Sequence, residues 1–147
     1  MRVIILDNKD TEKIVSYFVA YGFDSFIVFG EKDPKIDYEY FGLNGIEIIF
    51  IRDFSRVGTR DRILKIRGSL LDSFIIVYSK EACSFDLDML KSRHRENQCV
   101  ATLLQRDNRL CAVVCEREIM DYLNAGESFE REILQRIGQD SEISILE

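Results

Sequence analysis

Proline is almost missing from this chain, with Pro34 alone among 147 residues, and tryptophan is absent. Linkers and low-complexity spacers are rich in proline, glycine or serine. No such stretch interrupts the sequence and no internal repeat is visible, so residues 1–147 read as a single domain. No apolar run comes near the roughly 20 residues of a membrane-spanning helix. The only histidine is His94, and one histidine without placeable partners does not make a Ser-His-Asp site. The four cysteines, Cys83, Cys99, Cys111 and Cys115, form no C-x-x-C pair. Cys111 and Cys115 fall four apart in a strand-like run, which would set them on one face about 13 Å apart, too far to share a metal. Buried free thiols in a chain without a secretory leader point to a reducing cytoplasm.

Positive charge is also scarce. Twenty basic residues stand against 26 acidic ones, a net charge of −6, which argues against general nucleic-acid binding. The one basic cluster is Arg52, Arg56, Arg60, Arg62, Lys65 and Arg67. It reads first as a solvated helix face, with a local anion site as the alternative.

What the chain does contain is an alternation of β-branched runs and helical spacings. Strands are predicted at 2–6, 26–30, 46–51, 73–78, 99–104, 110–115 and 142–146. Between them, Ile14, Val15, Phe18 and Val19 give helical spacing over 11–21, capped by Asp10 or Thr11 and ended by Gly22. Helices are also expected over 34–41, 58–67, 85–97, 116–124 and 128–138. Leu87, Leu90 and His94 face inward on the 85–97 helix, with His94 in a structural role. Asp107-Asn108 is read as the turn of a hairpin. The aromatics Tyr17, Phe18, Tyr21, Phe23, Phe26 and Phe29 are assigned to the core. Asp86 and Asp88, near Glu81, serve a helix N-terminus more readily than a metal. Strands alternating with helices define an α/β class: a Rossmann-like three-layer sandwich with a mainly parallel sheet, made mixed by the hairpin.

Four collinear stretches resemble the glucose-1-phosphate cytidylyl- and thymidylyltransferase family. They are Ile14 to Gly30, with Tyr21-Gly22-Phe23; Asp72 to Lys80; Phe85 to Thr102, with His94; and Ala112 to Leu134, with Glu116-Arg117-Glu118-Ile119-Met120-Asp121-Tyr122. The resemblance implies a nucleotide-diphospho-sugar transferase-like fold. It also exposes departures. The family's phosphate-wrapping G-G-x-G-T-R-L loop is replaced by Asp7-Asn8-Lys9-Asp10. Its metal-binding Tyr-Gly-Asp reads Tyr78-Ser79-Lys80, a lysine where Mg²⁺ should be held. Its sugar-binding excursion shrinks to the turn between Leu104 and Leu110.

The expectation is therefore a non-catalytic, pseudoenzyme-like interaction or regulatory module linked to nucleotide-sugar or polysaccharide metabolism, with no cofactor and no Mg²⁺. The alternative is a reduced nucleotide- or sugar-phosphate-binding protein, or a nucleotidyltransferase with residual activity, whose candidate ligand residues are Gly58, Thr59, Arg60 and Lys80. Phe54, Val57 and Tyr78 are expected near solvent at the strand ends, where they would support a homodimer or a protein partner. Neither nucleic acid nor a membrane is expected as a partner.

Overall fold

Arg2–Leu6, the run Arg-Val-Ile-Ile-Leu, forms the central strand β1, buried on both faces from Val3 onward. Such a strand needs helices above and below it, and the rest of the chain supplies them. The computed structural model describes residues 1–54, 57–123, 128–139 and 143–146. The remaining strands are β2 (Ser25–Gly30), β3 (Glu47–Arg52), β4 (Phe74–Val77), β5 (Ala101–Arg106), β6 (Arg109–Cys115) and β7 (Ile143–Leu146). They form one seven-stranded sheet in the order β3-β2-β1-β4-β6-β5-β7. Only β6 runs against the others, so the sheet is mainly parallel and mixed.

Helices α1 (Thr11–Ala20), α2 (Tyr38–Leu43), α3 (Thr59–Ile66), α4 (Leu87–Asn97) and α5 (Leu134–Gln139) complete the sandwich. Ile14, Val15 and Phe18 of α1, Phe41 of α2, and Leu87 and Leu90 of α4 pack with Val3, Ile5, Phe26 and Val28 on one face. Ile63 and Ile66 of α3, with Ile119, Phe129 and Leu134, pack on Ile4, Ile27, Phe29 and Ile76 on the other. Phe18 and Phe23 meet edge-on with ring centroids 5.3 Å apart. The aromatic residues at 18, 23, 26 and 29 are core, with Tyr17 and Tyr21 packed against them.

Several local readings hold in detail. Gly22 ends α1 at φ +91°, and its N–H donates to Val19 O. Asp107 and Asn108 both adopt positive φ, the conformation of a two-residue hairpin turn whose twist matches that of its strands. Asp86 caps α4, accepting from the N–H groups of Asp88 and Met89.

Others need correction. Asp10 occupies the cap position of α1 but makes no side-chain cap bond; its N–H donates to Asn8 Oδ1 instead, and Thr11 Oγ1 donates to Asn8 O. The helix expected at 34–41 is α2, shifted to Tyr38–Leu43, because Lys35 adopts a left-handed φ of +58° and Asp37 caps the helix, accepting from the N–H of Tyr40. Of the helix expected over 116–124, residue 124 lies outside the described residues and the rest holds a 3₁₀ run, Arg117–Tyr122, while 128–138 opens with a π-type turn at Phe129–Ile133 before α5.

Cys111 and Cys115 do not share a face. The β5–β6 register shifts between Leu104 and Gln105, with Ala112 opposite Leu104 and Leu110 opposite Gln105. Cys111 is the extra residue of that bulge, which inverts the alternation. It therefore packs on the α1/α4 side while Cys115 packs on the α3 side. Both are buried free thiols, whereas Cys83 and Cys99 are half-buried. Burial, and then the nearby Asp10 carboxylate, push the Cys83 thiol up to about 11. At pH 8 roughly one molecule in a thousand then carries the thiolate, the reactive form. Alkylation of Cys83, followed by peptide mass mapping, should accelerate about tenfold per pH unit from 7 to 10 without a plateau. A plateau near pH 9 would show an ordinary thiol.

Candidate functional site

In an open α/β sheet, ligands bind outside the carboxyl ends of the strands, where the strand order reverses. Here that place lies between β1 and β4, since β2 and β3 lie to one side of β1 and the rest to the other. The chain's own side chains close it. Asn8, just after β1, donates from Nδ2 to Tyr78 O, just after β4, at 3.4 Å.

Beside this closure stands Arg62 of α3, only 2% exposed. Its Nη1 lies 2.5 Å from Asp7 Oδ2, and its Nη2 donates to Asp7 Oδ1 at 3.0 Å and to Phe54 O at 2.9 Å. Its Nε makes no hydrogen bond and stands 4.0 Å from Asp53 Oδ2. Lys65 Nζ approaches that same Asp53 oxygen at 3.5 Å. The guanidinium also lies 5.5 Å from the centre of the Phe29 ring. One cation thus ties together the ends of β1, β2 and β3. This overturns the solvated-face reading for Arg62. A carboxylate saturated by a fork-shaped guanidinium has little left for a metal or a substrate.

The candidates Gly58, Thr59 and Arg60 come together in a cleft of about 320 Å³, walled on its far side by residues 128–132. Gly58 is the residue preceding α3 and Thr59 opens the helix. The hydroxyl of Thr59 donates to Glu130 Oε1, and Tyr78 Oη donates to the same oxygen at 2.9 Å. Arg60 pairs with Asp61. The first side chain of α3 is thus engaged by a carboxylate of the chain itself. Lys80 is exposed, at the start of the 3₁₀ turn Lys80–Ser84, and does not line this cleft. Glu81 is held by Arg109 at 2.9 Å.

Tyr78 does not stand open to solvent as expected. Its hydroxyl is enclosed, and burial followed by the Glu130 charge pushes it well above the ordinary phenol value. Phe54 is exposed, at 59%. Sequence reasoning missed Asp7, Arg62 and Glu130 as the residues that shape this region. Asp7 carried one readable signal, an acid directly after the first strand. For Arg62 the one signal is its spacing of four from Ile66, which sets it toward the apolar side of the helix; nothing local names the acids that pair with it.

A second cleft, of about 410 Å³, lies between the loops after β1 and β2, lined among others by Asn8, Lys9, Lys32 and Lys35. A third polar constellation sits apart from both. His94 Nδ1 lies 2.7 Å from Thr102 Oγ1, and its Nε2 lies 2.8 Å from Glu116 Oε1. Ser73 Oγ donates to the other Glu116 oxygen at 2.7 Å. Thr102 is fully buried, so no substrate reaches its hydroxyl, and the group ties α4 to β5 and β6. Among the described residues no group of three or more histidine, cysteine or acidic side chains could hold a metal ion.

No protein-family model matches this chain, and no curated protein matches it. Among solved structures, it is similar to a candidate nucleotide-diphospho-sugar transferase from Desulfovibrio desulfuricans G20. The TM-score is 0.55 at 10% identity, covering 99% of this chain and 79% of that one. The chain has a Rossmann-like α/β fold of the nucleotide-diphospho-sugar transferase kind. None of the described helices is long and apolar enough to cross a membrane.

Proposed function

We propose that this chain is a non-catalytic relative of the sugar-1-phosphate nucleotidyltransferases, acting as an interaction or regulatory module in nucleotide-sugar or polysaccharide metabolism. The observation that carries this reading is the Arg62 clasp. Nucleotidyl transfer needs carboxylates free to hold Mg²⁺ and donors free to meet phosphate oxygens. At the strand ends Asp7 is taken by Arg62, and Asp53 lies between Arg62 and Lys65. The Thr59 hydroxyl at the start of α3 is taken by Glu130, and an exposed lysine, Lys80, follows β4 where the resembled family has its metal ligand.

Pyrophosphate release should stay at background with each nucleoside triphosphate, a panel of sugar 1-phosphates and Mg²⁺. A signal abolished by Lys80→Ala or Glu81→Ala would overturn the reading.

The second reading, a binder of nucleotides or sugar phosphates, is favoured by one feature, the lysine-bearing cleft of about 410 Å³ between the β1 and β2 loops. Thermal-shift titration with CTP, dTTP, UTP and sugar nucleotides separates the two. A saturable rise in Tm that Lys9→Ala removes would favour the binder.

A further inference from the structure

Strand β3 is an edge strand, bonded to β2 on one side only. Proteins usually blunt such an edge with a lysine, a proline, a bulge or a very short strand. Glu47–Arg52 has none of these. It is six residues of sequence Glu-Ile-Ile-Phe-Ile-Arg in unbroken register with β2. Ile49 is 41% exposed on it. The neighbouring α2 carries Tyr40 at 59% and Leu43 at 82% exposure.

The backbone of this edge has a defined polarity. The N–H groups of Glu47 and Asp53 donate inward, to Asp24 O and Gly30 O of the β2 side. By the alternation of a parallel ladder, Ile48, Phe50 and Arg52 turn their N–H and C=O groups outward, toward the free side.

We infer that this edge pairs antiparallel with the same edge of a second copy of the chain, with Ile49 opposite the partner's Ile49 on the two-fold axis. A two-fold axis perpendicular to an antiparallel ladder must pass through a residue and its own copy, which leaves few registers. Centred on Phe50, Glu47 would oppose the partner's Asp53, and directly opposed like charges are unfavourable. Centred on Ile48, the ladder would run into the turn at Gly45, whose φ is +77°. Centred on Ile49, Ile48 meets the partner's Phe50 and each such pair exchanges both of its N–H···O bonds. Glu47 meets the partner's Ile51, and no like charges oppose. The contact also extends the cluster to which the half-buried Ile48 and Phe50 already belong.

This inference deepens the interaction reading above by naming the partner. Its failure is distinguishable from that of the non-catalytic reading, because the pyrophosphate assay tests the latter alone. Sedimentation equilibrium of the full chain should show a dimer at high micromolar concentration. Ile49→Lys sets like charges face to face on the axis and should weaken it about 100-fold, without loss of thermal unfolding cooperativity.

A second measurement does not depend on that variant folding. In a non-hydrogen-bonded antiparallel pair the Cα atoms lie about 4.5 Å apart, within disulfide reach. On a Cys83→Ser, Cys99→Ser background, Ile49→Cys should cross-link between chains on mild oxidation at least about ten times faster than Ile51→Cys, which faces the partner's Glu47. A monomer at all concentrations, or a dimer in which position 51 cross-links as fast as 49, would overturn the proposal.

Discussion

Arg62→Met should lower the unfolding free energy by about 3 kcal/mol, seen as a fall in Tm of about 9 °C. Methionine fills much the same volume and stays apolar, so the loss comes from the charges left behind. Asp7 and Asp53 would face each other's surroundings without the guanidinium that holds both. Asp53 has a side chain only 10% exposed and would keep Lys65 alone. Asp7 has a side chain 33% exposed, so water recovers part of its cost, and this keeps the estimate at the low end of the range for a broken buried ion pair. The hydrogen bond to Phe54 O also disappears, loosening the segment after β3. Arg62→Lys should recover only part of the loss, since an ammonium cannot donate two parallel bonds to one carboxylate. Denaturant unfolding of the three proteins checks this. Equal stability of wild type and Arg62→Met would show that the clasp contributes nothing and would remove the argument that it occupies the strand ends.

The sheet was legible in the sequence because buried parallel strands leave a continuous β-branched signature. Phe74–Val77, and Phe26 to Phe29 within Ser25–Gly30, are apolar on both faces, and the spans 73–78 and 26–30 predicted from that pattern match the strands within a residue. The hairpin was legible for another local reason, as Asp107 and Asn108 are residues that tolerate positive φ. What escaped depends on contacts between distant segments. The bulge at Cys111 is fixed by its pairing with β5 and has no signature in the run Leu110–Cys115, so alternation misplaced the thiols. The weak helices after residue 116 follow Phe129 and Ile119 into the core rather than any clean 3.6 period.

The strand-end site divides in the same way. Gly58, Thr59 and Arg60 do line one cleft, and the short Gly-Thr helix start pointed to it. Lys80 does not join them, and Glu130, which accepts from the Thr59 hydroxyl, lies 71 positions beyond it. A local pattern marks a place where a helix begins; it does not say which carboxylate will settle there. Arg62 makes the same point for burial. Its spacing of four from Ile66 places it on the inner side of α3, and a buried arginine is tolerated because acids from two loops converge on it.

His94→Leu should cost about 2 kcal/mol. Leucine keeps the bulk between α4 and β5, so the cavity term is small and the polar term decides. Thr102 is fully buried and would lose the partner 2.7 Å away, leaving a hydroxyl in an apolar layer. Glu116 would lose its bond to Nε2, but its side chain is 37% exposed and retains Ser73, so water and Ser73 compensate there. Thr102→Val alone should be destabilising by about 1 to 2 kcal/mol, because it strands the imidazole Nδ1 instead. The double variant removes both halves of the buried pair and replaces them with apolar groups of similar size. It should therefore be less destabilised than the sum of the single variants, by about 1 kcal/mol or more. Additive losses in denaturant unfolding would mean that His94 and Thr102 do not stabilise the fold through one another, and that α4 is held on the sheet by Leu87 and Leu90 alone.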